Sequence, residues 1–128
     1  MPLKYVGKNR FDYLVEVDSE ATLRRVTPDF KLLMTVTQRG VIVTSRSSEP
    51  RFDFVSRFFA PGVGIDEDPV TGSAHCCLGA YWQRLLGKTE FLAFQASARG
   101  GVVRVRVSDK RAYLGGKAVT VLKGELLA

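Results

Sequence analysis

The chain has 128 residues, of which 45% are hydrophobic and 25% are charged. Such a composition is typical of one globular domain with a buried core, and it excludes a disordered chain. The net charge of +6 comes from lysines and arginines spread along the sequence with acids between them. Because nucleic-acid binding needs a localised basic surface, this distribution instead favours the attraction of small anions.

No apolar run approaches the roughly 20 residues of a membrane helix, and the first residues lack a signal-peptide core. We therefore expect a cytoplasmic protein with neither a membrane nor a nucleic-acid partner.

The first third of the sequence predicts a strand pair followed by two short helices. Asp18 and Ser19 are alternative N-caps of the first helix, which ends before Thr27 and Pro28. Pro28 suits the first turn of the second helix. The predicted elements are strands over 4–6 and 12–17 around a turn at 7–10, a helix over 20–26, and a helix from 28 to 33 or 34.

Strands rich in β-branched and aromatic residues are predicted in the middle and at the end of the chain. The strand over 52–59 carries apolar residues on both faces, so it should lie inside a sheet rather than at an open edge. The further predicted strands cover 41–44, 90–95, 102–107, 112–114 and 118–122, the last with an extension towards 127.

The tract over 67–74, EDPVTGSA, places an acid just before the start of a helix. Asp68 precedes a proline that keeps it extended, and Thr71 and Ser73 are capping residue types. Gly72 allows the backbone to approach a ligand closely. Because free N–H groups at a helix start favour anions, the pattern predicts that a substrate carboxylate binds there while Asp68 transfers a proton. The alternative is a plain turn at Asp68 followed by an ordinary N-cap.

The helix that follows is predicted from Ser73 to Leu86, with Gly87 as its C-cap. Many short strands with one apolar helix predict an α+β fold, namely a strongly curved mixed sheet or barrel wrapped around one central helix in a single domain over 1–128. The apolar surface assigned to this helix consists of Ala74, Cys77, Leu78, Ala80, Tyr81, Leu85 and Leu86.

The two cysteines, Cys76 and Cys77, are adjacent within this helix. Consecutive helical side chains point about 100° apart, so the pair is unsuited to an ordinary disulfide or to a shared metal with His75. We therefore expect two buried thiols, no metal site and a reducing compartment.

Residues 52–61 (FDFVSRFFAP) together with 64–75 (GIDEDPVTGSAH) resemble the phenazine-biosynthesis isomerase family, which is PhzF-like and has a diaminopimelate-epimerase-like fold. The similarity continues through Gln95 and the Arg99-Gly100-Gly101 tract, and back to residues 5–8. It spans essentially the whole chain but only the second half of the family. The fold that it implies is the same curved sheet around a helix.

The resemblance implies an isomerase that moves protons on a small carboxylate substrate without a cofactor. Asp68 matches the family's second-half acidic residue, and Gly72 and Ser73 match its substrate-contacting helix start. His75, on the first turn, is expected to be neutral because the helix dipole disfavours its protonation. Arg99 is either a contact for an anionic substrate or a solvent-facing side chain. The candidate substrate-binding residues are Thr71, Gly72, Ser73, Ala74, His75 and Arg99.

The family's active site lies between two halves, and the first half supplies a general-base glutamate that has no counterpart in this sequence. The resemblance therefore implies a partner, either a second copy related by a twofold axis or a separate first-half chain. A noncatalytic domain that binds a small anion or another protein is the alternative. An apolar face left open for the partner would make an isolated monomer unfavourable.

Overall fold

The computed structural model describes residues 3–127, which form one mixed sheet with helices on both of its faces. The two short helices connect neighbouring strands, and the one long helix follows the EDPVTGSA tract. The elements are β1 (Leu3–Lys8), β2 (Asp12–Val17), α1 (Glu20–Arg25), α2 (Phe30–Val36), β3 (Gly40–Arg46), β4 (Phe54–Ala60), a 3-10 turn (Pro61–Val63), β5 (Ile65–Glu67), α3 (Gly72–Leu86), β6 (Glu90–Gln95), β7 (Gly101–Ser108) and β8 (Arg111–Gly115).

The sheet has the order β1-β2-β3-β4-β6-β7-β8, and β5 pairs with the end of β4. The pairs β2–β3 and β4–β6 are parallel, and each is joined by a helical connection, as parallel pairs require. The remaining pairs are antiparallel. The predicted α+β class and mixed sheet are confirmed. The barrel is not formed, because β1 and β8 remain two separate edges of an open sheet within residues 3–127.

The sheet separates two apolar clusters, so its central strands are buried on both faces. This confirms the interior position predicted for β4, whose pattern is buried at nearly every residue. The cluster on the α3 face contains Leu14, Ile42, Phe54, Phe58, Ala60, Ala74, Leu78, Trp82, Phe91, Ala93, Val103, Val105 and Val107. The cluster on the α1 and α2 face contains Val17, Leu23, Val43, Val55, Phe59 and Ala96.

Helix α3 contacts strands from both ends of the sheet order. The Tyr81 ring lies 5.2 Å from that of Tyr5 on β1. On the other side, a Cβ at Gly79 would lie 2.9 Å from Val105 on β7, so only a glycine permits this close approach. Helix α3 therefore contacts strands that are far apart in the sheet order.

The apolar surface predicted for α3 is partly wrong. Ala80 and Leu85 are exposed, whereas Trp82 is fully buried and stacks on Phe54 at 5.7 Å. Cys76 is exposed and Cys77 half-buried, both as free thiols, so the expectation of two buried thiols is also wrong. Residues four positions apart lie on the same face of a helix. Cys76 and Ala80 therefore share one face of α3, and this face is exposed to solvent.

The helix ends follow ordinary capping chemistry. Of the two candidates for α1, Ser19 is the cap, since its side chain accepts from the N–H of Thr22 at 3.1 Å. Asp29 caps α2 through the N–H of Leu32, so Pro28 lies outside the helix and not in its first turn as predicted. Gly87 ends α3 in the left-handed region with φ 66°, which confirms the predicted C-cap.

The strand predicted over 118–122 is not formed. Residues 116–127, here called the C-terminal tail, have no regular secondary structure and are exposed. The β7–β8 ladder ends where Gly115 pairs with Arg104. The β-branched residues of the tail predict a strand, but a strand also needs a neighbour for its backbone hydrogen bonds, and none of the described residues provides one. None of the helices within residues 3–127 is both long and apolar enough to cross a membrane.

Candidate active site

Asp68 lies between β5 and the start of α3. Its backbone N–H donates to the carbonyl of Phe58 at 3.0 Å, which extends the pairing of β5 with β4 by one residue. Its carboxylate oxygen Oδ2 accepts a hydrogen bond from the hydroxyl of Thr71 at 2.6 Å. The half-buried acid is therefore held beside the first turn of α3 by both its main chain and its side chain.

The first turn of α3 is open to a ligand. Thr71 occupies the N-cap position, but its hydroxyl donates to Asp68, and no side chain within residues 3–127 caps the helix. Gly72 and Ser73 are exposed. Since the first N–H groups of a helix have no partner within the helix, those of α3 remain available to an anion.

A buried amide fixes the loop between Asp68 and Thr71. Gln95, at the end of β6, donates from Nε2 to the Asp68 carbonyl at 2.9 Å and to the Thr71 hydroxyl at 3.1 Å. Its Oε1 accepts from the N–H of Thr71 at 2.8 Å. The hydroxyl of Ser97 also donates to the Pro69 carbonyl at 2.9 Å. A polar network satisfied in this way rigidifies the loop and thus the position of the acid.

A cavity of about 270 Å³ lies in front of this loop. Its wall is largely apolar, with Asp68, Thr71 and Arg39 as the polar groups, a composition typical of small-molecule sites. The apolar wall is formed by Phe58, Ala60, Val63 and Ile65. A larger cavity of about 500 Å³ lies under α1 and α2 on the other face of the sheet. It is remote from the motif, and its one acid, Asp29, already caps α2.

His75 is fully buried beneath the helix start. Its Nδ1 lies 2.7 Å from the carbonyl of Thr71 and donates to it, whereas Nε2 has no partner among the described residues. Burial lowers the pKa of His75, and the hydrogen bond to Thr71 opposes this only in part. The ring is therefore a neutral group that supports Thr71 from below, with no surface open to the cavity side.

The pH dependence of stability should expose this buried neutral ring. The chain has one histidine, whose ordinary pKa is 6.5. Below that pH the unfolded chain gains a proton that the folded chain does not, so the unfolding free energy should fall from pH 7 to pH 5, by at most about 1.4 kcal/mol per pH unit. Urea denaturation at both pH values measures this change. His75→Asn keeps an N–H that can donate to the Thr71 carbonyl, and its unfolding free energy should not fall in this way between pH 7 and pH 5. An equal fall in the wild type and in this variant would show that His75 is not the cause.

The side chains of the two remaining predicted residues, Ala74 and Arg99, do not line the cavity. The side chain of Ala74 is buried in the core, so only its backbone N–H is available to a ligand. Arg99 is exposed on the bend after β6, and this bend is tied to the site through the contact of Ser97 with Pro69. The structure thus brings Asp68, Thr71, Gly72 and Ser73 together and leaves Arg99 on the adjacent loop.

Arg39 and Asp12 also belong to the site, although the sequence analysis did not identify them. The Nη2 group of Arg39 donates to the hydroxyl of Ser73 at 3.0 Å. Its Nε lies 3.2 Å from Oδ1 of Asp12, which is only 2% exposed. Burial raises the pKa of Asp12, and the positive charge of Arg39 acts in the opposite direction. Asp12, Leu14 and Glu16 lie on one face of β2, and the two acids make this face resemble one exposed to solvent. The face is instead turned towards α3.

Glu67 has a structural partner. The guanidinium of Arg57 binds both of its carboxylate oxygens at 2.9 Å, and the same group donates to the carbonyls of Leu23 and Val26 at the end of α1. This fork anchors β5, the strand that leads into Asp68. No three residues among His, Cys, Asp and Glu within residues 3–127 are placed to hold a metal ion together.

The fold and the site define an α+β domain that presents an acid at an uncapped helix start. The chain belongs to the phenazine biosynthesis-like (PhzC-PhzF) protein family, whose model matches residues 3–124.

Known proteins of this family are similar over most of the chain. An uncharacterized isomerase of Halalkalibacterium halodurans is 58% identical over 123 residues, which cover 96% of this chain and 46% of that protein. The human phenazine biosynthesis-like domain-containing protein is 49% identical over 96 residues, which cover 70% of this chain and 33% of the human protein. A crystal structure of a PhzF family protein from Enterococcus faecalis matches with a TM-score of 0.83 at 39% identity, covering 89% of this chain and 43% of that one. The chain thus spans less than half the length of these relatives.

Proposed function

We propose that this chain is an isomerase-type domain that transfers a proton on a small carboxylate substrate without a cofactor. The observation that carries the proposal is the half-buried Asp68 beside the uncapped start of α3. In this arrangement the N–H groups of Gly72, Ser73 and Ala74 bind the substrate carboxylate. Asp68 then moves a proton to or from a carbon near that carboxylate.

The rigid loop suits this chemistry. Gln95 holds the main chain of Asp68, and the Thr71 hydroxyl holds its carboxylate, so the acid keeps one position relative to the bound anion. His75 supports Thr71 from within the core. Because Asp68 is already positioned before the substrate binds, less entropy is lost when the reacting groups are brought together.

We also propose that a second protein surface completes the site. The sheet has open edges at β1 and β8, and several apolar side chains of the tail are almost fully exposed: Val119 (84%), Val121 (92%), Leu122 (86%), Leu126 (97%) and Leu127 (91%). Exposed apolar surface of this extent favours association. The partner, a second copy or a separate first-half chain, would supply the second acid/base that returns the proton. We place this assembly in the cytoplasm.

Solvent exchange tests the proposed activity. The assembled protein is incubated in D₂O with a panel of amino and hydroxy acids, and deuterium at carbon is followed by NMR. Exchange into at least one acid above the protein-free rate is expected. Anion binding at α3 without any exchange, in the assembled protein, would reject catalysis and favour the noncatalytic binding domain.

Removal of the tail tests the partner surface. We expect a chain that stops after Gly115 to lose self-association at micromolar concentration, because the exposed apolar residues are removed with little change to the sheet. Size-exclusion chromatography with light scattering gives the mass of both proteins. The Lys117→Ala variant, which keeps the apolar residues, is the control and should match the full chain. A monomeric full chain would remove the homodimer and leave the first-half chain as the partner.

A further inference from the structure

Arg39 stands at the end of the loop that leads into β3, and its side chain reaches across to the start of α3. One guanidinium nitrogen, Nη2, donates to the hydroxyl of Ser73 at 3.0 Å. The same side chain lines the cavity that contains Asp68 and Thr71. A cation and an acid therefore face one small cavity whose remaining wall is apolar except for Thr71.

Asp12 fixes this cation from behind. Its carboxylate is 2% exposed and lies 3.2 Å from Nε of Arg39, but the N–H is not directed at it, so the contact is an ion pair without a hydrogen bond. The guanidinium also lies over the ring of Phe11, 4.8 Å from its centroid. The buried carboxylate of Asp12 and the exposed ring of Phe11 therefore restrain the guanidinium near the helix start.

Most of the hydrogen-bonding capacity of Arg39 is unused. A guanidinium carries five N–H donors, and only the bond to Ser73 engages one of them among residues 3–127. The Nη1 group donates to no acceptor in that part of the chain. With 42% of its side chain exposed, the group is accessible from the open side of the site.

We propose that Arg39 is the anchor for the substrate carboxylate, which it binds together with the N–H groups of Gly72, Ser73 and Ala74. Asp12 acts as the positioning residue behind it. This assignment rests on the proposed function of the helix start and makes it specific, because a planar fork fixes the orientation of a carboxylate as well as its place. The orientation in turn decides which carbon of the substrate lies nearest Asp68.

The test is an NMR titration of the full chain with sodium succinate and, separately, with neutral succinamide, observed at the amides of Ser73 and Ala74. Arg39→Gln should weaken succinate binding by about tenfold to a hundredfold, the usual range for one charged hydrogen-bonded contact. Arg39→Lys keeps the positive charge but not the planar fork, so its affinity for succinate should lie between those of the wild type and Arg39→Gln. Succinamide binding should hardly change, whereas damage to the fold would weaken both ligands. The control is Arg46→Gln, which removes an exposed arginine at the far end of β3.

The double variant D12N/R39Q removes both charges and so leaves no buried carboxylate unpaired, which keeps the test valid if Arg39→Gln does not fold. Its preference for succinate over succinamide should fall by about the same tenfold to hundredfold as in Arg39→Gln, because only the N–H groups of the helix start still favour the anion. A folded double variant that binds succinate like the wild type overturns the role of Arg39 while the helix-start site stands. If succinate moves neither amide in the wild type, both proposals are rejected.

Discussion

Asp68→Asn is expected to lower the rate of deuterium exchange into the substrate by about a hundredfold to ten-thousandfold, the usual contribution of a positioned acid/base. Asparagine has the same shape and still accepts from the Thr71 hydroxyl, so the loop held by Gln95 should persist. It cannot carry the proton. The loss should therefore appear in the rate of exchange, while binding of the substrate at α3 is largely retained.

Asp66→Asn is the matched control for this variant. Asp66 is an exposed acid on β5, two residues before Asp68. Its substitution by asparagine changes the net charge by the same amount as Asp68→Asn. Its exchange rate should stay within about twofold of the wild type, since surface charges act only weakly on the site. Equal exchange by the wild type and Asp68→Asn, measured with saturating substrate, would exclude Asp68 as the proton carrier.

Much of the fold was predictable because local patterns and tertiary structure agree. The apolar residues on both faces of 52–59 predicted an interior strand, and β4 is interior because helices cover both sides of the sheet. The strand predicted over 102–107 is formed as β7, in which buried valines alternate with exposed arginines. The EDPVTGSA tract predicted a helix start after Asp68, and α3 begins at Gly72.

The buried polar residues of β2 could not be recognised from their local pattern. Asp12 and Glu16 alternate with apolar residues, which normally marks a solvent face, yet their partners are Arg39 and the hydroxyl of Tyr81, both brought in from other elements. Such pairs join residues 27 and 65 positions apart in the sequence. No local pattern encodes them.

The tail shows the opposite failure. Its apolar and β-branched residues satisfy the sequence signature of a strand, but the strand that would pair with it is absent from residues 3–127. Strand propensity expresses how well a residue fits a half-buried sheet rather than a preference of the isolated backbone. The tail therefore has the propensity of a strand without the neighbour that would bury one of its faces among residues 3–127.

Trp82→Ala should destabilise the domain by about 3–5 kcal/mol, the usual cost of emptying a fully buried aromatic site. The indole lies between Phe54, on which it stacks at 5.7 Å, and Tyr81, which it meets edge-on at 5.5 Å. Its Nε1 donates to the Thr44 hydroxyl at 3.0 Å. The single side chain thus joins α3 to β3 and β4, and its removal separates the helix from the centre of the sheet.

Two variants separate the size of the ring from its hydrogen bond. Trp82→Phe keeps most of the volume and should cost about 1–2 kcal/mol, because Thr44 still donates to the Val55 carbonyl at 2.8 Å. Leu85→Ala removes an exposed apolar side chain from the same helix and should cost about 0.5 kcal/mol or less. Urea unfolding followed by circular dichroism at one protein concentration compares all four proteins, since association would shift the apparent stability. Equal losses for Trp82→Ala and Leu85→Ala would mean that α3 is not anchored through the indole.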